Sequence, residues 1–175
     1  NIVIVDIDVK ALDTYGQFPF SRDIYADWLN SSPENNAYVF NMGFTEADRF
    51  GQDSKLIAGM QNRDVILSSF VSNKAQGDKP VRGFGKLGKG DPSDWLYSYN
   101  GIRSPVMGEH ADGVGTVTVA PSVDGIVRES PLAIMANSYL YPSVALEILR
   151  VWEFQPNLAI KIKDAGVEWV RMGSL

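Results

Sequence analysis

Asp6 and Asp8 stand one residue apart at the end of the apolar run that opens the chain. At the C-terminal end of a strand, two carboxylates at that spacing suit Mg²⁺-dependent phosphoryl transfer, with one attacking and the other passing a proton. Ligands of open α/β sheets bind at that edge. The bland alternative is that both carboxylates bond to backbone amides or pair with Arg22 or Arg128. Arg22 follows Phe18-Pro19-Phe20 at the start of a helix, where the dipole favours an anion and not a cation. Pairing with Asp6 or Asp8 resolves that conflict and clamps the turn to the sheet; binding an anionic ligand is the other resolution. His110, the single histidine, lies between Glu109 and Asp112. That trio suits a proton relay or plain polar surface, and no G-x-S-x-G elbow supplies a nucleophile beside it.

The phosphatase reading, in its haloacid-dehalogenase-like form, wants further parts: a Thr or Ser ending the second strand, a lysine and a later acidic pair for Mg²⁺. Gly43-Phe44-Thr45 is a weak version of the first, and the others are not recognisable. Gly83 to Gly88 spells G-x-G-x-x-G, and Gly83 to Lys89 spells G-x-x-x-x-G-K. A dinucleotide or phosphate loop needs a strand before it and a helix after it. Here Gly77-Asp78-Lys79-Pro80 precedes, Gly90-Asp91-Pro92 follows, and Gly90 stands where Mg²⁺ binding asks for Ser or Thr. The stretch reads as a surface loop. Asn30-Ser31-Ser32 matches the glycosylation sequon.

The elements that would position these residues follow from the apolar pattern. Residues 1–8 form a continuous apolar run, which reads as a strand buried on both faces. Ser21 reads as a helix cap with Asp23 in the first turn, and Ile24, Tyr25, Trp28 and Leu29 form one apolar face. A second strand is expected over 37–44, a helix over 53–61 with Leu56, Ile57 and Met60 inward, and a third strand over 64–71. This alternation predicts parallel crossover units. Residues 72–113 are rich in Gly, Lys, Pro and Asp and read as a long irregular excursion, in which Trp95, Tyr97 and Tyr99 alternate as an aromatic wall or as anchors to the core. Beyond it, residues 114–120 and 126–135 flank the turn signal Asp124-Gly125 and predict an antiparallel hairpin. Pro142-Ser143 opens a helix with Val144, Ala145, Ile148, Leu149 and Trp152 inward. Leu158, Ile160 and Ile162 alternate towards a turn at Asp164-Ala165-Gly166 and a return strand. The fold class expected is α/β: a mixed sheet with a parallel strand–helix–strand first half and an antiparallel, hairpin-rich second half.

Composition narrows the classes of function. With 21 acidic and 16 basic residues the net charge is −5, which argues against nucleic acid as a partner. There is no cysteine, so disulfides, Cys-ligated zinc, iron–sulfur clusters and thiol catalysis are excluded. No run of about 18 apolar residues exists, so no segment inserts into a membrane. The 175 residues make one domain. Its beginning, inside an apolar run, and its end at Arg171-Met172-Gly173-Ser174-Leu175 read as cuts from a larger membrane receptor.

Several segments, in order, resemble the second type of CHASE domain, the extracellular sensory domains of membrane-bound histidine kinases, nucleotide cyclases and related receptors. Ile2 to Asp8 with Leu12 resembles the family's opening strand. Gly16-Gln17-Phe18-Pro19-Phe20-Ser21-Arg22 with Tyr25 resembles its aromatic-Pro-aromatic-x-Arg turn and helix. Val39 to Phe44 resembles its second strand, although Asn41 stands where the family usually has Asp. Asp53 with Leu56 and Ala58, Asp124 to Arg128 with Pro131-Leu132, and Tyr141 to Glu147 complete the series.

The resemblance implies an extracytoplasmic, periplasmic or extracellular domain that senses a small molecule or physical signal without turnover, within a two-component kinase, an adenylate or diguanylate cyclase or a Ser/Thr kinase receptor. It implies a homodimer, with no cofactor and no metal. The ligand-binding residues expected are Asp6, Asp8, Arg22, Asn41, Asp124 and Arg128. The rivals are the phosphatase built on Asp6 and Asp8 and a ligand-free dimerisation module.

Overall fold

The computed structural model describes residues 1–74, 77, 79–121 and 123–174. Its first half contains α1 (Val9–Tyr15), α2 (Arg22–Ser31), β1 (Ala37–Phe40), α3 (Asp53–Met60) and β2 (Asp64–Ser72). β1 and β2 pair in parallel, with Ala37 opposite Asp64 and Phe40 opposite Leu67, as the strand–helix–strand pattern predicts. α2 and α3 pack together and put Tyr25, Leu29, Leu56 and Met60 onto Tyr38, Phe40, Val65 and Leu67. Side chains alternate along a strand, so Val39 and Ile66 face the other side.

The opening strand is a correction. Residues 1–8 pair with no strand, and Ile2, Val3, Ile4 and Val5 are 95, 82, 87 and 67% exposed. Asp8 instead caps α1, its carboxylate accepting from the Ala11 amide at 2.9 Å. An Asp before a helical run satisfies an otherwise orphaned donor, and here that local bond starts a helix where the apolar run predicts a strand end.

Within the excursion lie β3 (Phe84–Leu87), β4 (Ser98–Tyr99) and β5 (Gly101–Arg103), and β6 (Gly113–Thr116) closes it. β5 runs antiparallel to the end of β2, whereas β6 runs parallel to it, Ile66 opposite Gly113 and Ser69 opposite Thr116. The expected strand from 114 to 120 is therefore a parallel neighbour of β2 and not half of a hairpin. Only β7 (Ala120–Pro121) and β8 (Val127–Glu129) flank the Asp124-Gly125 turn in antiparallel pairing. β9 (Ala133–Ala136) turns back on β10 (Tyr139–Pro142), and β4 adds in parallel to β9.

α4 (Val144–Trp152) follows, capped by Ser143, whose Oγ accepts from the Leu146 amide. It covers β6 closely because β6 carries glycines: a Cβ on Gly115 would stand 2.5 Å from the Val144 backbone. Its buried face is not the expected one. Leu149 and Trp152 are 52 and 55% exposed and Ala145 is exposed, while Leu146, Glu147, Arg150 and Val151 point in. Glu147 and Arg150 neutralise each other: Nε donates to Oε1 at 2.7 Å and Nη2 to Oε2 at 2.8 Å. Arg150 also donates to the Asp112 and Gln155 carbonyls, so its charge is buried with its donors used. β11 (Leu158–Lys163) and β12 (Gly166–Met172) form the expected hairpin, with β3 on the outer side of β11. The architecture is α/β with parallel and antiparallel strands. Among the described residues no helix is long and apolar enough to cross a membrane.

Candidate functional site

The C-terminal end of β1 delivers the chain into a polar loop, residues 41–52, that folds back over the start of α2. Phe44 is the loop's apolar foot, buried against Tyr25 and Phe40 with ring centroids 5.5 Å away in both cases. The Arg22 guanidinium lies over the Phe44 ring, 4.3 Å from its centroid, and donates to the Glu46 carbonyl. A weakly hydrated planar cation tolerates such burial better than an ammonium.

Carboxylates of the same loop complete the arrangement. Asp48 Oδ2 accepts from the Arg22 amide at 3.4 Å and from the Gln52 amide at 2.9 Å. The donor at the start of α2 is therefore met by Asp48; Ser21, the predicted cap, makes no side-chain capping bond. Asp53 Oδ2 accepts from the Asp48 amide, and its Oδ1 stands 3.5 Å from Arg22 Nε. That contact is ionic but outside hydrogen-bond geometry, so both buried atoms keep an unused bonding capacity. Burial pushes the neighbouring Tyr25 phenol above its ordinary value.

Around this cluster is a cleft of about 350 Å³, lined by Pro19, Arg22, Gly43, Thr45, Asp48 and Arg49 among others. A second hollow of about 310 Å³ shares Thr45 and Glu46 and reaches Ile102, Arg103 and Ser104 at β5. Arg49 closes one wall, donating to the Gln17 and Pro19 carbonyls beyond the cis Phe18–Pro19 bond. The rim thus offers two hydroxyls, three guanidinium groups and the Glu46 and Asp48 carboxylates, a lining for a small polar molecule.

Of the residues expected to bind ligand, only Arg22 lines this cleft. Its partners are Asp53, Asp48 and Glu46, and not Asp6 or Asp8. Asp6 is exposed, and Asp8 is occupied in capping α1; no strand end carries the pair, so the geometry for phosphoryl transfer is not assembled. Asn41 is exposed just past β1. Asp124 and Arg128 bind each other bidentately at 2.8 Å on the outer hairpin, and Arg128 holds the Asp124 carboxyl below its usual range.

The remaining motifs fall elsewhere. Asp112 Oδ2 accepts from the Val65 amide, while Glu109 and His110 are exposed, so the relay is not built. The glycine run forms β3 and the turn after it, followed by a single 3-10 turn at Pro92–Asp94 and not by the α-helix that a phosphate loop needs. Trp95 and Tyr97 are exposed, whereas Tyr99 packs on Ile102 and Ile134. Sequence reasoning passed over Glu46, Asp48 and Arg49, and did not place Thr45 or Asp53 at a binding cleft; the signal was present as the charged residues in the loop that follows a parallel strand, the edge where ligands gather.

The model of the CHASE2 domain family matches residues 1–172. No curated protein and no solved structure matches the chain. CHASE2 is a family of extracellular sensory, non-catalytic domains.

Proposed function

We propose that this chain, which belongs to the CHASE2 domain family, is the extracytoplasmic sensing module of a dimeric membrane receptor whose output is a histidine kinase, a nucleotide cyclase or a Ser/Thr kinase. The signal is a small polar molecule taken at the cleft beside Arg22. The observation that carries this reading is the Arg22–Asp53 contact at 3.5 Å. A part-buried ion pair whose facing atoms lack a hydrogen bond can be drawn together or opened onto a ligand. A ligand shifts such an equilibrium by its difference in affinity for the two states.

The test is a thermal-shift screen of small carboxylates, phosphates, amino acids and amines against the chain. A binder present at about 100 times its Kd adds about 2.7 kcal/mol, or roughly 5–10 °C for a domain of this size. Thr45→Val with Glu46→Ala should abolish the shift without lowering the unliganded midpoint by more than about 2 °C. A shift that survives both substitutions places binding elsewhere. No shift from any compound at millimolar concentration leaves the ligand-free dimerisation module as the better account.

A further inference from the structure

The hollow at β5 holds two opposite charges that face the same space without pairing. Arg103 and Glu46 both line it, with the hydroxyls of Thr45 and Ser104 beside them. Among the described residues the Arg103 guanidinium makes no hydrogen bond and no ion pair, and neither does the Glu46 carboxylate; Glu46 is engaged only through its carbonyl, which accepts from Arg22. The two walls are tied together. Arg103 stands opposite Phe70 in the β2–β5 pairing, and the Val106 amide donates to the Phe44 carbonyl at 2.8 Å, so the segment after β5 is fastened to the loop that carries Thr45 and Glu46. The adjoining cleft shares Thr45 and Glu46 and sets Arg22 and Arg49 against Asp48. Arg22 is only 6% exposed there, and its Nε has no hydrogen-bond partner.

We infer that the two hollows together bind an α-amino acid with a polar side chain, taken as the zwitterion. Its carboxylate meets the Arg103 guanidinium and the Ser104 hydroxyl, and its ammonium group meets the Glu46 carboxylate. Its side chain lies over Thr45 towards Arg22, Arg49 and Asp48. The mixed lining sets the class. A simple anion would bring its charge against Glu46 and Asp48, and a simple cation would meet three guanidinium groups; like charges brought together count against binding. A zwitterion gives each wall charge a partner, and arginine holds a carboxylate through two parallel bonds. The size agrees. At roughly 30 Å³ for each water-sized group, the β5 hollow of about 310 Å³ has room for about ten non-hydrogen atoms, the size of glutamine or glutamate. The inference rests on the cleft being the sensing site and names what is sensed there.

Calorimetric titration with L-serine, L-glutamine and L-glutamate tests it. At least one of the three binds, and its N-acetyl and methyl-ester derivatives, each lacking one charge, bind about tenfold more weakly or worse. Arg103→Gln and Glu46→Gln each weaken the free amino acid to the same degree. Both residues are exposed, so the unfolding midpoints stay within about 2 °C of the parent. The variants also identify which charge meets which wall: the ester penalty disappears in Arg103→Gln, and the N-acetyl penalty disappears in Glu46→Gln. Failure of all three amino acids to bind at millimolar concentration overturns the inference. So does a derivative that binds as tightly as its parent, or an affinity that Arg103→Gln leaves intact. A simple carboxylate, phosphate or amine that binds in place of the amino acids, and loses binding with Thr45→Val and Glu46→Ala, overturns the zwitterion and leaves the cleft as the sensing site. Binding by no compound of any class overturns both.

Discussion

Glu147→Gln removes one charge from the best-buried ion pair in the chain. The side chains of Arg150 and Glu147 are 5% and 0% exposed, so solvent screening offers little relief. Glutamine keeps the shape and one acceptor, but it leaves the Arg150 guanidinium without a counter-charge against β6, with the Asp112 and Gln155 carbonyls as its other acceptors. Breaking a buried pair from one side costs about 3–5 kcal/mol. For a chain of this length that is a fall of roughly 6–20 °C in midpoint. Urea unfolding near neutral pH measures it, with the slope checked so that the change is one of stability. The companion variant, Glu147→Leu with Arg150→Met, should regain most of the loss, since no charge is then buried. It should stay about 1–2 kcal/mol below the parent because two carbonyls lose their donor. A loss under about 1 kcal/mol for Glu147→Gln, or a double variant less stable than the single one, would refute the reasoning.

Arg22→Ala gives up the contact over Phe44 and the bond to the Glu46 carbonyl, and should cost about 2 kcal/mol in the same assay; Arg22→Lys should recover less than half of it. Gly115→Ala places a methyl 2.5 Å from the Val144 backbone, so α4 must lift, and a loss of about 3 kcal/mol or more is expected, visible as a lower midpoint and loosened near-ultraviolet circular dichroism. Lys161 and then Lys163 hold Glu168 below its ordinary value of 4.5. Its contribution is present above that value and is lost as the pH falls through the lower folded-state value, so the small gap between parent and Glu168→Gln should close in acid. Asp64 behaves oppositely: burial first, and then Asp112, raise it above 3.8. The favoured protonated form is lost as the pH rises through the folded value, so Asp64→Asn should raise the midpoint near neutral pH and leave it unchanged at about pH 3.

The elements legible in the sequence were those whose apolar period named their partner as well as their type. α2, α3, β1, β2 and the β11–β12 hairpin present one apolar face each, and each face meets a neighbour close in sequence. The opening run fails this test, because Ile2 to Val5 signal that burial is favourable without saying against what. α4 misleads for a different reason. Its apolar stripe through Ala145, Leu149 and Trp152 looks like the inner face, yet Glu147 and Arg150 satisfy each other and occupy that side. β6 was hidden by a real hairpin signal at Asp124-Gly125, while Gly113 and Gly115, which let α4 approach, carry no periodic signal. At the cleft, Arg22 was visible because a cation at a helix start conflicts with the dipole. Its partners lie 24 to 31 residues away across a loop, and spacing alone does not choose among so many carboxylates.

One oxygen of Asp48 ties two parts of the molecule together, since it receives the amide that begins α2 and the amide immediately before α3. Neither helix can therefore be nudged at that end without the other registering it. A guest that drew this carboxylate aside would release both first turns at one stroke, so a disturbance the size of a single side chain would reach the whole α2–α3 layer and the sheet beneath it.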